Sequence, residues 1–292
     1  MASITAKQVK DLRDKTNAGM MDAKKALVEA DGDEKRAIEI LREKGVAKAA
    51  KKSGRVAAAG LTNFKIDGDN AAIVEVNAET DFVSGNDDFK KLVTSVTDVI
   101  AKEAPKSVDD AMALSVDEGT VQDKIISTTQ STGEKVTLRR FEVLKNTGND
   151  NFGAYIHNGG EITALVQVEG ADEATAKDVA MHAAAQNPEF LDRNDIPKER
   201  LEEEHSKLRK EALDEGKPEK IVDKMVEGRL NKFLAGICLA DQPFVKDPDQ
   251  TVQQFVESKG GKLKTFVRYE VGEGIEKEEQ NFADEVNSQI NK

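Results

Sequence analysis

A short pattern that occurs twice constrains this chain more than any other feature. Phe64-Lys65-Ile66-Asp67-Gly68-Asp69-Asn70 reads as a strand end and turn leading into the strand Ile73-Val74-Glu75-Val76-Asn77. Tyr155-Ile156-His157-Asn158-Gly159-Gly160-Glu161 reads likewise as a turn, leading into Ile162-Thr163-Ala164-Leu165-Val166-Gln167-Val168. Helical periodicity follows each, over residues 87–102 and 171–186. The echo implies two copies of one α/β module, each a short antiparallel sheet covered by helices. Further strands are predicted from Lys135 to Leu144 and from Lys262 to Val271.

The chain before the first copy has a different grammar. Thr5-Ala6-Lys7-Gln8 is a capping box opening a helix towards Lys15, with Val9 and Leu12 as apolar positions. Asn17-Ala18-Gly19 breaks it. A second helix places Met20, Ala23, Leu27 and Ala30 on one face and stops at Asp31-Gly32-Asp33. Asp33 caps a third, which uses Ala37, Ile38 and Leu41 and ends at Gly45. Residues 1–45 therefore form a three-helix unit. Residues 46–55 are small and basic and read as a linker, a solvated helical connector in preference to a nucleic-acid contact.

Inside the second copy lies a very polar helical pair. Leu201, His205, Leu208 and Ala212 return as Val222, Val226, Leu230 and Phe233 across Asp214-Glu215-Gly216-Lys217-Pro218. This is an antiparallel hairpin with a narrow apolar seam, expected to protrude as a coiled coil. The tail from Ile275 reads as an amphipathic helix with Phe282, Val286 and Ile290. The fold class is thus α+β. Its parts are the three-helix unit (1–45), linker (46–55), core N-subdomain (56–147), core C-subdomain (148–196 and 236–274), inserted hairpin (197–235) and C-terminal helical module (275–292).

Composition narrows the function. The first 55 residues carry 14 Lys+Arg against 9 Asp+Glu, whereas the other 237 carry 29 against 46. An acidic bulk repels a phosphate backbone, so no direct nucleic-acid partner is expected. The single cysteine, Cys238, cannot form an intrachain disulfide, which fits a reducing compartment, by default the cytoplasm. The N-terminus lacks a secretory apolar segment and no stretch reaches membrane-spanning length, so no membrane is expected.

Chemistry-bearing patterns are missing. No glycine-rich loop ends in Gly-Lys-Ser/Thr, so the chain has no evident means of holding a nucleotide itself. His157, His182 and His205 do not pair at helical spacing, and neither a metal nor a cofactor is expected. Cys238 sits in the apolar run Phe233–Leu239, where a buried, inert thiol is the favoured reading. One segment departs from the bland: Val76-Asn77-Ala78-Glu79-Thr80-Asp81-Phe82-Val83-Ser84 leaves a strand for a loop with an aromatic beside a carboxylate. Phe82 there is either an exposed interface anchor or core under its own helix; spacing alone favours core.

Thr16-Asn17-Ala18-Gly19-Met20-Met21-Asp22-Ala23-Lys24-Lys25-Ala26-Leu27 closely resembles the N-terminal signature of the elongation factor Ts family, and Glu79-Thr80-Asp81-Phe82-Val83 its second signature. Tyr155-Ile156-His157, Ala180-Met181-His182, the stretch from Gly216 through Leu230 and Gln242-Pro243-Phe244-Val245-Lys246 match as well, in the same order along nearly the whole chain. The resemblance implies a ubiquitin-associated-like first domain, two related core subdomains, an inserted coiled coil and a C-terminal helical module. It implies a nucleotide exchange factor for elongation factor Tu, not an enzyme, and leaves open a dimer of heterodimers.

The same resemblance assigns Thr80, Asp81, Phe82 and Val83 to disturbance of the partner's magnesium site. Met20, Met21, His157 and Gly133 become further partner contacts, which sets a surface Met20 against the core Met20 of the periodicity. Departures from the family pattern are Glu161 where a basic residue is common, Thr163 where glycine is common and Thr132 where an apolar residue occurs. Two rivals remain at this stage: an adaptor that binds without promoting exchange, and an enzyme using Asp81 or an acid pair in a cleft.

Overall fold

The computed structural model describes residues 4–16, 18–117, 119–216 and 218–276. In the N-terminal unit, α1 (Ala6–Thr16), α2 (Met20–Glu29) and α3 (Glu34–Lys52) start on side-chain caps or a glycine. Thr5 and Gln8 close a reciprocal box, with Thr5 N donating to Gln8 Oε1 at 2.9 Å and Gln8 N to Thr5 Oγ1 at 3.3 Å. Asp33 accepts from Arg36 N at 3.2 Å. Val9, Leu12, Ala18, Ala23, Ala26, Leu27, Ala37, Ile40 and Leu41 pack into one small core.

Three expectations for this unit need correction. Met20 is 48% exposed, because Ala18, just before the helix, fills the inward position that periodicity gave to the methionine. Ile38 faces outward and Ile40 inward. The third helix does not end at Gly45 but runs on to Lys52. A Cβ at Gly45 would lie 2.8 Å from Ile126 Cγ2 and 2.3 Å from Gln130 Nε2. That glycine therefore marks close approach to another helix and not a helix end.

The first module comprises β1 (Ala59–Asp67), β2 (Asn70–Ala78), α4 (Asp81–Ser84), α5 (Asp87–Glu103), α6 (Val108–Ala113), α7 (Val121–Thr132) and β3 (Thr137–Lys145). The second comprises β4 (Asp150–His157), β5 (Ile162–Glu169), α8 (Glu173–Gln186), α9 (Lys198–Asp214), α10 (Glu219–Ile237), β6 (Pro243–Phe244), β7 (Asp247–Thr251), α11 (Val252–Ser258) and β8 (Lys262–Glu270). Their antiparallel sheets run β1-β2-β3 and β4-β5-β8, beside a two-stranded β6-β7 ribbon. Tyr155–His157, expected in a turn, belong to β4. The reversal is confined to Asn158, Gly159 and Gly160, whose φ of 48°, 68° and 110° turn the chain in three residues.

Each sheet buries both faces. Ala72, Val74, Val76 and Ala78 of β2 meet α5 and α7, while Ala164, Val166 and Val168 of β5 meet α8 and α11. The alternate residues, Ala71 and Ile73 from one sheet and Leu165, Val267 and Tyr269 from the other, pack sheet against sheet. The result is a helix–sheet–sheet–helix stack.

Polar residues of the inner seam are tied to partners, except that the buried Asn77 Oδ1 has none among the described residues. Glu75 is fully buried and accepts from Arg139 at 2.9 Å, Arg140 at 2.6 Å, Asn77 at 3.1 Å and Gly272 N at 2.8 Å. Burial opposes its charge, but the Gly272 N–H and the two guanidiniums outweigh that cost and hold its carboxyl below the ordinary range. Thr62 Oγ1 donates to Gly160 O at 2.8 Å and lies 2.8 Å from Thr163 Oγ1, again across the two sheets.

α9 and α10 pack through Leu208, Ala212, Val222 and Val226, with Leu230 partly buried. The predicted seam overreached at its start: Leu201 and His205 are exposed and Glu204 is buried. Asn17 of the first break, Lys217 of the hairpin turn and Phe282, Val286 and Ile290 of the tail lie outside the described residues. Among the described residues no helix is long and apolar enough to cross a membrane.

Candidate partner-binding site

Where β2 leaves the stack, Thr80 caps the single turn of α4, its hydroxyl accepting from Val83 N at 3.4 Å. Val83 packs onto the first module's core and Ser84 is buried beneath it. Those two residues take the inward positions, which turns Phe82 outward. Phe82 is 88% exposed, so the core reading favoured by spacing alone is overturned. Asp81 is exposed beside it.

The turn is tied down from below. Glu134 Oε2 accepts Thr80 N at 3.0 Å and Glu134 Oε1 accepts the Thr80 hydroxyl at 2.6 Å. In return Glu79 Oε1 accepts Lys135 N at 2.5 Å, and Arg55 reaches the same carboxylate at 3.2 Å. Gly133 ends α7 at φ 76° with open space around its Cα, and thereby sends Glu134 towards the loop. Beside Phe82 a groove of about 730 Å³ runs between α5 and α7, lined by Val83, Phe89, Leu92, Lys124, Thr128 and Thr132 among others.

The other expected contact residues stand apart from this loop. Met21, 62% exposed, forms an apolar surface on α2 with Val28, edged by Lys24, Lys25, Glu29 and Lys44, and Met20 is exposed on the same helix. The unit bearing them rests on α7: Ser127 Oγ donates to Thr16 O at 3.2 Å, Gln130 Nε2 to Leu41 O at 3.3 Å, and Arg42 pairs with Asp123 at 2.8 Å. His157 is exposed at the end of β4. Of the three departures from the family pattern, Thr163 supplies the buried hydroxyl opposite Thr62, Glu161 binds Asn158 within the turn, and Thr132 bonds Thr128 O at 2.7 Å.

His182 and Cys238 belong to the scaffold. Val245 N donates to His182 Nδ1 at 3.1 Å, which leaves Nε2–H to donate to Gln242 Oε1 at 2.9 Å. Burial keeps this imidazole below its ordinary pKa, with the Gln242 bond opposing, so the neutral ring ties α8 to the segment around β6. Burial pushes the Cys238 thiol up to about 11, and Asp241 adds to the effect, as expected of an inert thiol.

The family described as Elongation factor TS matches residues 79–273. Elongation factor Ts of Lactiplantibacillus plantarum is 64% identical over 290 residues, covering 99% of both chains. That of Limosilactobacillus fermentum is 60% identical over 292 residues, covering all of both, and that of Pediococcus pentosaceus 58% over 290 residues, covering 99% of both. The chain belongs to the elongation factor Ts family.

As a member of that family it is a component of protein biosynthesis, whose general role is guanine nucleotide exchange on elongation factor Tu. The matched region begins at Glu79, the first anchor of the Phe82 turn, and ends at Glu273, which pairs with Arg140 at 3.1 Å in the joint between the sheets. The anchors Glu79 and Glu134 were not singled out by sequence reasoning as supports. Their partners lie 56 and 54 residues away, beyond any periodic or capping pattern, and the αL glycine at 133 was the one local signal.

Proposed function

We propose that this protein empties elongation factor Tu by inserting the Thr80-Asp81-Phe82-Val83 turn against the partner's magnesium-binding region. Phe82 wedges between partner side chains, and Asp81 disturbs the residues and waters that place the ion. Losing magnesium removes a major counter-charge to the nucleotide's phosphates, so GDP leaves faster. No bond is made or broken. The observation that carries this reading is Phe82 itself, 88% exposed on a one-turn helix whose neighbours are anchored. An aromatic held out in water on a rigid base stabilises the free chain little and suits a partner's pocket.

The thermodynamics are those of linkage: preference for the nucleotide-free partner weakens nucleotide binding by the same factor. A thousandfold weakening needs about 4 kcal/mol, and one aromatic anchor supplies roughly 2–4 kcal/mol. Further contacts must contribute. Met20 and Met21 on the ubiquitin-associated-like domain, the His157 turn and the neighbourhood of Gly133 are assigned that part, methionine suiting an adaptable surface. The α9–α10 hairpin acts as a coiled coil available to a partner or to a second complex in a dimer of heterodimers, and the working compartment is the cytoplasm. Neither a membrane nor a nucleic acid takes part.

Stopped-flow release of fluorescent GDP from elongation factor Tu under excess magnesium tests the reading. The wild type accelerates release and Phe82→Ala is at least about tenfold slower at equal concentration. No acceleration by the wild type would leave only an adaptor. Equal acceleration by both would move the mechanism from Phe82 to Met20, Met21 and His157.

A further inference from the structure

We infer that Glu134 is a positioning residue for Phe82: bonded to the backbone N–H and hydroxyl of Thr80, its carboxylate fixes the angle at which the one-turn helix presents the aromatic ring. This rests on the wedge reading above and assigns a role to a residue outside the Thr80–Val83 turn. A four-residue helix cannot hold its own conformation in water, because the cost of nucleation is not recovered by so few hydrogen bonds. Nor can the ring steady the turn, since it is 88% exposed. Orientation must then come from what lies beneath.

Val83 and Ser84 bury the C-terminal side of the turn, and Thr80 is its N-terminal hinge. Both oxygens of Glu134 are committed to that hinge, at 3.0 and 2.6 Å, and hydrogen bonds to an ionised acceptor are the stronger kind. The contact is reciprocal, because Glu79 accepts the backbone N–H of Lys135. Lys135 Nζ in turn donates to Ser53 O at 2.7 Å and Arg55 O at 2.9 Å, so the chain leaving α3 is gathered into the same clasp. Gly133 sets this up through its left-handed backbone, which directs the residue after α7 at the loop.

α7 thus carries the methionine-bearing unit along its length and the Phe82 hinge at its end. The two contact sets share one rigid element. Removing Glu134 should leave the methionine surface able to dock and Phe82 badly aimed, a defect in the maximal rate and not in assembly.

The test is a double-mutant cycle in stopped-flow release of fluorescent GDP from elongation factor Tu, titrating the full-length factor. Glu134→Ala is expected to lower the saturating release rate about tenfold, with the half-maximal concentration unchanged within about twofold. Glu134→Gln, which keeps one acceptor oxygen, should recover part of the loss, and Glu134→Ala should cost little in a Phe82→Ala background. Thermal melting checks folding. If Glu134→Ala melts early, Glu134→Gln carries the same cycle. Wild-type rates for the Glu134 variants beside a slow Phe82→Ala would overturn the inference, as would losses that simply add. A Phe82→Ala factor as fast as wild type would instead sink the wedge reading and this inference with it.

Discussion

The two sheet modules share a plan down to the site of one irregularity. β2 slips register against β3 between Glu75 and Val76, and β5 slips against β8 between Gln167 and Val168. Each bulge follows a buried polar residue. The modules differ in what surrounds it and in where the chain emerges. Glu75 is an ion between two arginines, whereas Gln167 is a neutral amide donating to Lys145 O at 2.9 Å and Asp150 at 2.8 Å.

In the first module the hairpin turn is tight, at Gly68-Asp69, and the far end of β2 carries the Phe82 turn. In the second the hairpin carries His157, and β5 passes through Gly170 directly to the Asp172 cap of α8. The repeated scaffold has therefore placed its candidate contacts at opposite ends of the equivalent strand. The shared plan supplies the framework, and loop chemistry supplies the difference.

The largest expected effect separates the two buried polar residues. Glu75→Ala takes the shared buried carboxylate from Arg139 and Arg140, which keep Glu273 and main-chain oxygens as partners, and should cost about 3 kcal/mol of unfolding free energy, the low end for a broken buried pair. Gln167→Ala leaves Asp150 with its other partners and should cost roughly 1–2 kcal/mol. Urea denaturation of both variants decides; equal costs would mean that the two bulges are interchangeable.

A smaller effect separates the two loops. His157→Ala should slow GDP release by no more than about threefold, against about tenfold for Phe82→Ala, and neither should move the urea midpoint measurably. A reversed order would place the wedge on the second module.

Acid titration gives the smallest contrast and concerns the carboxylates. Lys264, 2.9 Å away, leads the Thr147 and Gln167 bonds in drawing Asp150 down to about 2, and Glu75 is likewise held low. A carboxyl lowered on folding contributes stability that is complete above its unfolded value near 4 and is lost as pH falls through the folded value. Urea midpoints should therefore fall as pH drops from about 4 towards 2. Lys264→Met should lessen that fall while lowering stability at neutral pH. An unchanged slope in the variant would show that the Asp150 pair does not govern the acid limb.

Much of the organisation was legible because its signals are local. Caps at Thr5 and Asp33, the helices of the N-terminal unit, the repeated strands and the apolar seam at Leu208, Ala212, Val222 and Val226 all rest on residues within a few positions of one another. One error arose where a local sign had a distant cause: Gly45 looked like a helix end and is a contact with α7. The other was local, since Met20 fitted the apolar stripe while Ala18, two residues earlier, is the one in the core.

The sequence by itself determined the three N-terminal helices, the repeated strands with the helix after each, the polar hairpin and the segment bearing Asp81 and Phe82, but not α7 (Val121–Thr132), on which that segment's hinge rests. Only the tertiary structure decided that the sheets meet face to face, that Glu75 lies between Arg139 and Arg140, and that Phe82 points into solvent from a hinge held by Glu134. Periodicity specifies which residues share a face. What that face meets depends on chain closure across more than fifty residues, where packing, charge pairing and left-handed glycines choose among arrangements that the local pattern leaves equal.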